Sequence, residues 1–176
     1  MRLISKFSNR YTLLILATIY GIFAGYIMPK SIESAQGDGP LDLLFSYAPE
    51  TAFAHVESYG EMGRAAYIKF SLIADTAYPV IYTLLFMVII SLLATKLWPA
   101  RKGLQRLALV PLLALVFDLC ENQNIVSMLK SWPETNEKTA QMASLFTSLK
   151  WTSIGVSFAV ILVLLCLWIL RAVRKS

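Results

Sequence analysis

The chain has 176 residues, of which 57% are hydrophobic and 15% charged, with a mean hydropathy of +0.60 and a formal net charge of +5. A soluble domain of this length needs far more polar surface, so the composition excludes an ordinary soluble protein. The apolar residues fall into four long blocks separated by polar segments, which predicts one integral membrane domain covering 1–176 rather than several domains.

A helix needs about 20 mainly apolar residues to cross the hydrocarbon core. The first block, 11–28, meets this. Arg2, Lys6 and Arg10 precede it as in a signal peptide, but the block is long and no good cleavage site follows. Around Ala35 the residue at minus three is Glu33, which is neither small nor neutral. Ala17, Gly21 and Gly25 recur every fourth residue, a spacing that lets another backbone approach closely. The partner is expected to be another span or, in a homo-oligomer, a second copy of the chain.

An outer loop, 29–69, follows. Gln36-Gly37-Asp38-Gly39-Pro40 is a turn cluster. Leu41, Leu44 and Phe45 then fit one face of a short helix, and Pro49 suits the first turn of a second, with Phe53, Val56 and Tyr59 or Gly60 at helical spacing. These are expected to be amphipathic helices that lie on the membrane surface or cap the bundle. His55 reads as a solvated or hydrogen-bonded surface residue. The remaining spans are expected at 70–97, 104–125 and 145–170, giving an all-α, four-helix transmembrane bundle.

The basic residues set the expected orientation. The N-terminal tail, the connection between the second and third spans and the C-terminal tail carry Arg2, Lys6, Arg10, Lys96, Arg101, Lys102, Arg106, Arg171, Arg174 and Lys175, with no acid among them. The two other loops hold most of the acids. Both termini are therefore expected in the cytoplasm, and the net charge reads as a topology signal, not a nucleic-acid patch. Trp98, Trp132, Trp151 and Trp168 fall near expected span ends, where indole rings prefer to sit.

Ionisable groups inside a span cost about 2.5–3.5 kcal/mol each on insertion scales and normally face a partner in the bundle interior. Asp75 lies in the second span, Asp118 and Glu121 in the third, and Lys150 near the outer end of the fourth. At 1.5 Å per residue, Asp75 is roughly 8 Å below the outer surface, with Asp118 about 21 Å and Glu121 about 25 Å up from the inner one, so all sit in the outer half. Asp75, Tyr78 and Tyr82 share one helix face, as do Asp118, Glu121, Asn122 and Ile125. Pro79 frees a backbone carbonyl near Asp75. Asp75 and Asp118 are expected to approach each other, with one of them protonated or paired with Lys150. The candidate ligand-binding set is Asp75, Tyr78, Tyr82, Asp118, Glu121, Asn122 and Lys150. The same groups would serve equally to knit the helices together.

The sequence holds no P-loop, no G-x-S-x-G and no H-E-x-x-H. With one histidine and two separated cysteines, Cys120 and Cys166, no metal site, cofactor or disulfide is expected, and no catalytic residue is assigned. The layout, with Asp75 followed by Tyr78-Pro79, resembles the EXPERA family, which includes sterol isomerase-like proteins and a small ligand-binding receptor. That resemblance implies four or five helices, a long non-cytoplasmic first loop and Asp75 as a pocket acid. The absence of an acid in span one, and the D-L-C-E-N run at 118–122, depart from it. Three functions remain open: binding or acting on a small lipid-like or cationic ligand, proton- or cation-coupled transport, and service as an accessory subunit whose polar helix faces dock a partner.

Overall fold

The computed structural model describes residues 7–30 and 37–174. Arg2, Lys6, Glu33, Ala35, Gln36 and Lys175, together with both chain ends, lie outside the described residues. Among the described residues the protein is all-α. Its helices are α1 (Arg10–Ile22), α2 (Pro49–Ser58), α3 (Gly60–Leu97), α4 (Leu112–Ser131) and α5 (Glu137–Val173).

Among the described residues, three helical segments are long and apolar enough to cross a membrane: Arg10–Lys30, which contains α1, and the whole of α3 and α5. Four were expected. The fourth, α4, has 20 residues and carries Asp118, Glu121, Asn122, Gln123 and Asn124 within two turns, which dilutes its apolar character. The surface of the long helices is oily: Leu14, Ile15 and Ile22 on α1, Ile73 and Leu84 on α3, and Leu162 and Val163 on α5 are all exposed. Contiguous apolar exposure on this scale suits lipid and not water.

Local chemistry explains the boundaries. The Asn9 side chain caps α1 by accepting from the backbone N–H groups of Tyr11 (2.9 Å) and Thr12 (3.0 Å). α1 then widens into a π-helical turn at Phe23–Ile27. α3 starts at Gly60, ten residues before the expected 70, because the polar stretch containing Arg64 and Lys69 stays helical although it is not apolar. The expected third span splits. Leu104–Leu109 forms a 3-10 helix and the α-helix begins only after Pro111, which has no N–H to offer the preceding turn. α5 begins at Glu137, where the Asn136 side chain accepts from Thr139 N at 3.2 Å. At about 57 Å and 55 Å, α3 and α5 are longer than the hydrocarbon core is thick.

The loop packs onto the helix bundle. Pro49 occupies the first turn of α2, as the sequence suggests, but the expected helix over Leu41, Leu44 and Phe45 is only a 3-10 turn at Leu41–Leu43. Ala52, Val56 and Tyr59 are buried against Tyr67, Ile125, Met128 and Ala140, so α2 caps the bundle. Two hydrogen bonds converge on the Gly39 carbonyl, from Tyr59 OH (2.7 Å) and the His55 ring (3.1 Å). Burial pushes the Tyr59 phenol above its ordinary range, which keeps it a neutral donor. Gly37 has φ of 72°, and a Cβ there would meet Ser58 Oγ at 2.6 Å, so the turn requires glycine.

The Ala17–Gly21–Gly25 face does not pack on another span. α1 leans on α3 through Leu13, Leu16 and Tyr20, whereas Ala17, Gly21 and Gly25 are exposed, and a Cβ added at Gly21 or Gly25 would meet nothing within 4 Å. Lys96 lies over Trp168, and Arg171 lies over Trp98 while bonding the Leu97 carbonyl, which ties the basic residues of that end to its tryptophans. Cys120 and Cys166 are both free thiols.

Candidate functional site

The centre of the site is a carbonyl that a proline releases. Pro79 has no N–H for the Asp75 carbonyl four residues earlier in α3. Asn122 of α4 supplies the missing donor: its Nδ2 donates to Asp75 O at 3.0 Å and to Asp118 Oδ1 at 3.3 Å. Tyr82 OH, two turns along α3, donates to Asp118 Oδ2 at 2.9 Å. Asp118 is thereby held on both oxygens. Asp75 is not: its Oδ2 is buried with no hydrogen-bond partner, in a residue only 4% exposed.

Lys150 of α5 takes neither of the carboxylates anticipated for it. Its Nζ lies 2.5 Å from Glu121 Oε2, and Thr147 Oγ1 donates to Glu121 Oε1 at 2.7 Å. Glu121 is fully buried, one helical turn past Asp118, so this pair forms a second polar layer between α4 and α5.

The loop completes the arrangement. The Asp42 carbonyl accepts from Lys150 Nζ and from Trp151 Nε1, both at 3.1 Å, and its carboxylate accepts from Tyr67 OH at 2.8 Å. Tyr47 N donates to Ser144 Oγ at 2.9 Å, and Ser148 Oγ donates to Phe45 O at 2.8 Å, so residues 42–47 are strapped to α5. Burial raises the Tyr47 phenol above its ordinary range, leaving it a neutral hydroxyl 3.4 Å from Thr147 Oγ1.

Between these layers lies a cavity of about 220 Å³. Asp42, Asp75, Asp118 and Lys150 line it, together with the aromatic rings of Tyr20, Tyr78, Tyr82, Phe86, Trp151 and Phe158. Tyr20 stacks on Tyr78 with centroids 5.7 Å apart, bringing α1 into the wall. Pockets for drug-sized ligands run to roughly 300–1,000 Å³, so this one takes a small group or one end of a longer molecule.

Five of the seven expected site residues, Asp75, Tyr78, Tyr82, Asp118 and Lys150, line this cavity. Glu121 stands behind it as the partner of Lys150, and Asn122 is the bridge between α3 and α4. Sequence reasoning missed Asp42, Tyr67, Thr147 and Tyr20. Asp42 sat unmarked among the loop acids, and Tyr20 had no polar neighbour in sequence to single it out. Trp151 was read only as an interface marker. Among the described residues no group of three His, Cys, Asp or Glu side chains is placed to hold a metal ion.

No family model matches the chain, and neither a curated protein nor a solved structure matches it. Among the described residues, fold and site define an all-helical protein with three candidate membrane spans and four buried carboxylic acids, Asp42, Asp75, Asp118 and Glu121, against one buried amine, Lys150.

Proposed function

We propose that this is a four-span membrane protein that binds the polar end of a small cationic, lipid-like molecule in the Asp75 cavity. The observation that carries this reading is the buried, unpartnered Asp75 Oδ2 beside an aromatic-lined cavity. A buried carboxylate without a donor is unfavourable and calls for a compensating group. With four buried acids against one amine, a ligand cation is the complementary charge, and the faces of Tyr78, Tyr82 and Phe86 suit it.

α4 serves as the fourth span. Its 20 residues reach about 30 Å, the thickness of the hydrocarbon core. Leu113, Val116 and Leu119 are exposed on its flank, as lipid contact requires. Lys96, Arg101, Lys102 and Arg106 gather at the α3–α4 connection, which supports a cytoplasmic position for that end and for both termini. The likeness to the EXPERA family, carried by Asp75, Tyr78 and Pro79, fits the same reading. The exposed Ala17–Gly21–Gly25 face is where a second copy would pack.

The test is binding of decylamine, with decanol as the neutral control, to the full chain in nanodiscs. The amine is expected to bind at least tenfold more tightly than the alcohol, a preference of about 1.4 kcal/mol that Asp75→Asn abolishes. Equal binding of both probes, or an unchanged preference in a folded Asp75→Asn protein, would overturn the reading.

A further inference from the structure

A second polar cavity, of about 280 Å³, opens between α3 and α4 on the other side of Asn122. Ser71 and Thr76 of α3 and Asn122, Gln123 and Lys130 of α4 line it. Ser71 Oγ is buried without a hydrogen-bond partner in a residue only 2% exposed, so a donor stands unused in the wall. Gln123 is exposed on the α4 face that also exposes Val116 and Leu119, at i+7 from the first and i+4 from the second. A carboxamide there is costly against bare hydrocarbon, where polar groups need a partner.

The levels of these groups along the helices are informative. The contacts from Asp75 to Asn122 and from Tyr82 to Asp118 make α3 and α4 antiparallel, so Ser71 and Lys130 both lie toward the loop end. Lys130 is about 12 Å beyond Asn122 on α4, where headgroups begin if Asp75 is one or two turns below the surface. The cavity thus presents an ammonium at phosphate depth and hydroxyl and amide donors at glycerol depth, with Leu72 at the level of those donors and Leu119 below them.

We propose that this groove is a binding site for an anionic glycerophospholipid. The phosphate sits against Lys130, ester oxygens accept from Ser71 and Gln123, and an acyl chain runs over Leu72 and Leu119. Each donor then meets an acceptor, and the lipid's charge opposes that of Lys130. The inference rests on the membrane placement of α3 and α4 but not on occupancy of the Asp75 cavity.

The experiment is native mass spectrometry of the full chain released from nanodiscs of mixed phosphatidylglycerol and phosphatidylcholine. The wild-type protein is expected to retain phosphatidylglycerol preferentially. Lys130→Gln and Gln123→Leu are both at exposed positions that preserve the fold; the first reduces the adduct roughly fivefold, the equivalent of about 1 kcal/mol for one basic group at an anionic surface, and the second, which removes an amide donor, also reduces it. Excess inorganic phosphate does not displace the lipid, and both variants keep the wild-type preference for decylamine, which separates this site from the acid cavity. Unchanged lipid retention in both variants would overturn the proposal. So would displacement by inorganic phosphate, which marks a free-anion site, or loss of an oligomer without loss of lipid in Gln123→Leu, which marks a partner helix.

Discussion

Asn122 Nδ2 donates to the Asp75 carbonyl at 3.0 Å, the one α3 carbonyl whose in-helix donor is removed by Pro79. The proline and the asparagine are 43 positions apart in sequence, yet each makes sense only with the other. Asn122→Leu is expected to destabilise the protein by about 1–3 kcal/mol, because it strands a buried carbonyl and frees Asp118 Oδ1 as well. Pro79→Ala restores an N–H for Asp75 O. In that background Asn122→Leu should cost less, and a double-mutant cycle on unfolding in detergent reads the difference. Strict additivity would mean that Asn122 does not compensate for the proline.

The Glu121–Lys150 pair is buried on both sides at 2.5 Å and further tied by Thr147. Removing one partner leaves the other charge alone in the interior, so Lys150→Met is expected to cost about 3–5 kcal/mol. Lys150→Met combined with Glu121→Leu removes both charges and should recover most of that loss. The midpoint of denaturation for the two proteins checks the expectation. A double variant as unstable as the single one would show that Lys150 acts mainly through its bond to the Asp42 carbonyl.

Topology is accessible by cysteine labelling once Cys120 and Cys166 are replaced. Position 37 is a poor reporter, since its positive φ and the nearby Ser58 Oγ leave no room for a side chain. Glu50→Cys, at an exposed position in the first turn of α2, should react with an impermeant reagent in intact cells. Gly103→Cys, whose added Cβ meets nothing within 4 Å, should react only after lysis. The reverse pattern would invert the proposed orientation.

Much of this site was legible in the sequence because it depends on two regular quantities, rise and rotation per residue. Depth counting put Asp75 and Asp118 at one level, and helical phase put Tyr82 and Asn122 on the faces that meet. The Asp75 carbonyl that Pro79 leaves without a donor was readable as a vacancy but not the residue that fills it. Partner choice was not legible. Lys150 selects Glu121 over Asp118 through the rotation of α5 against α4, which no single-helix pattern encodes. Asp42 escaped notice because its bonds to Lys150 and Trp151 are made by its backbone carbonyl, an atom every residue has, and because a loop with no periodicity delivers it to the bundle. Helix starts were misplaced for a related reason: 60–69 is polar yet helical, and hydropathy marks the membrane, not the helix.

Asp75 and Asp118 are adjacent acids with opposite structural duties, and the contrast separates function from architecture. Asp118 accepts from Tyr82 on one oxygen and from Asn122 on the other. Asparagine offers one acceptor oxygen, so Asp118→Asn sets an N–H against a donor, with an expected loss of about 1–2 kcal/mol. Asp75 Oδ2 accepts from nothing. Asp75→Asn removes a buried acid without breaking a side-chain bond at that oxygen and leaves the Asn122 contact, which is to the backbone. The variant is expected to be as stable as the wild type or more so, by up to about 1 kcal/mol, while losing the preference for decylamine. Thermal unfolding and probe binding on the same preparations give both values. A residue that lowers stability and is needed for binding is held in place by function. An Asp75→Asn protein that melts lower and still prefers the amine would make the carboxylate a helix-joining group and remove the basis of the proposed function.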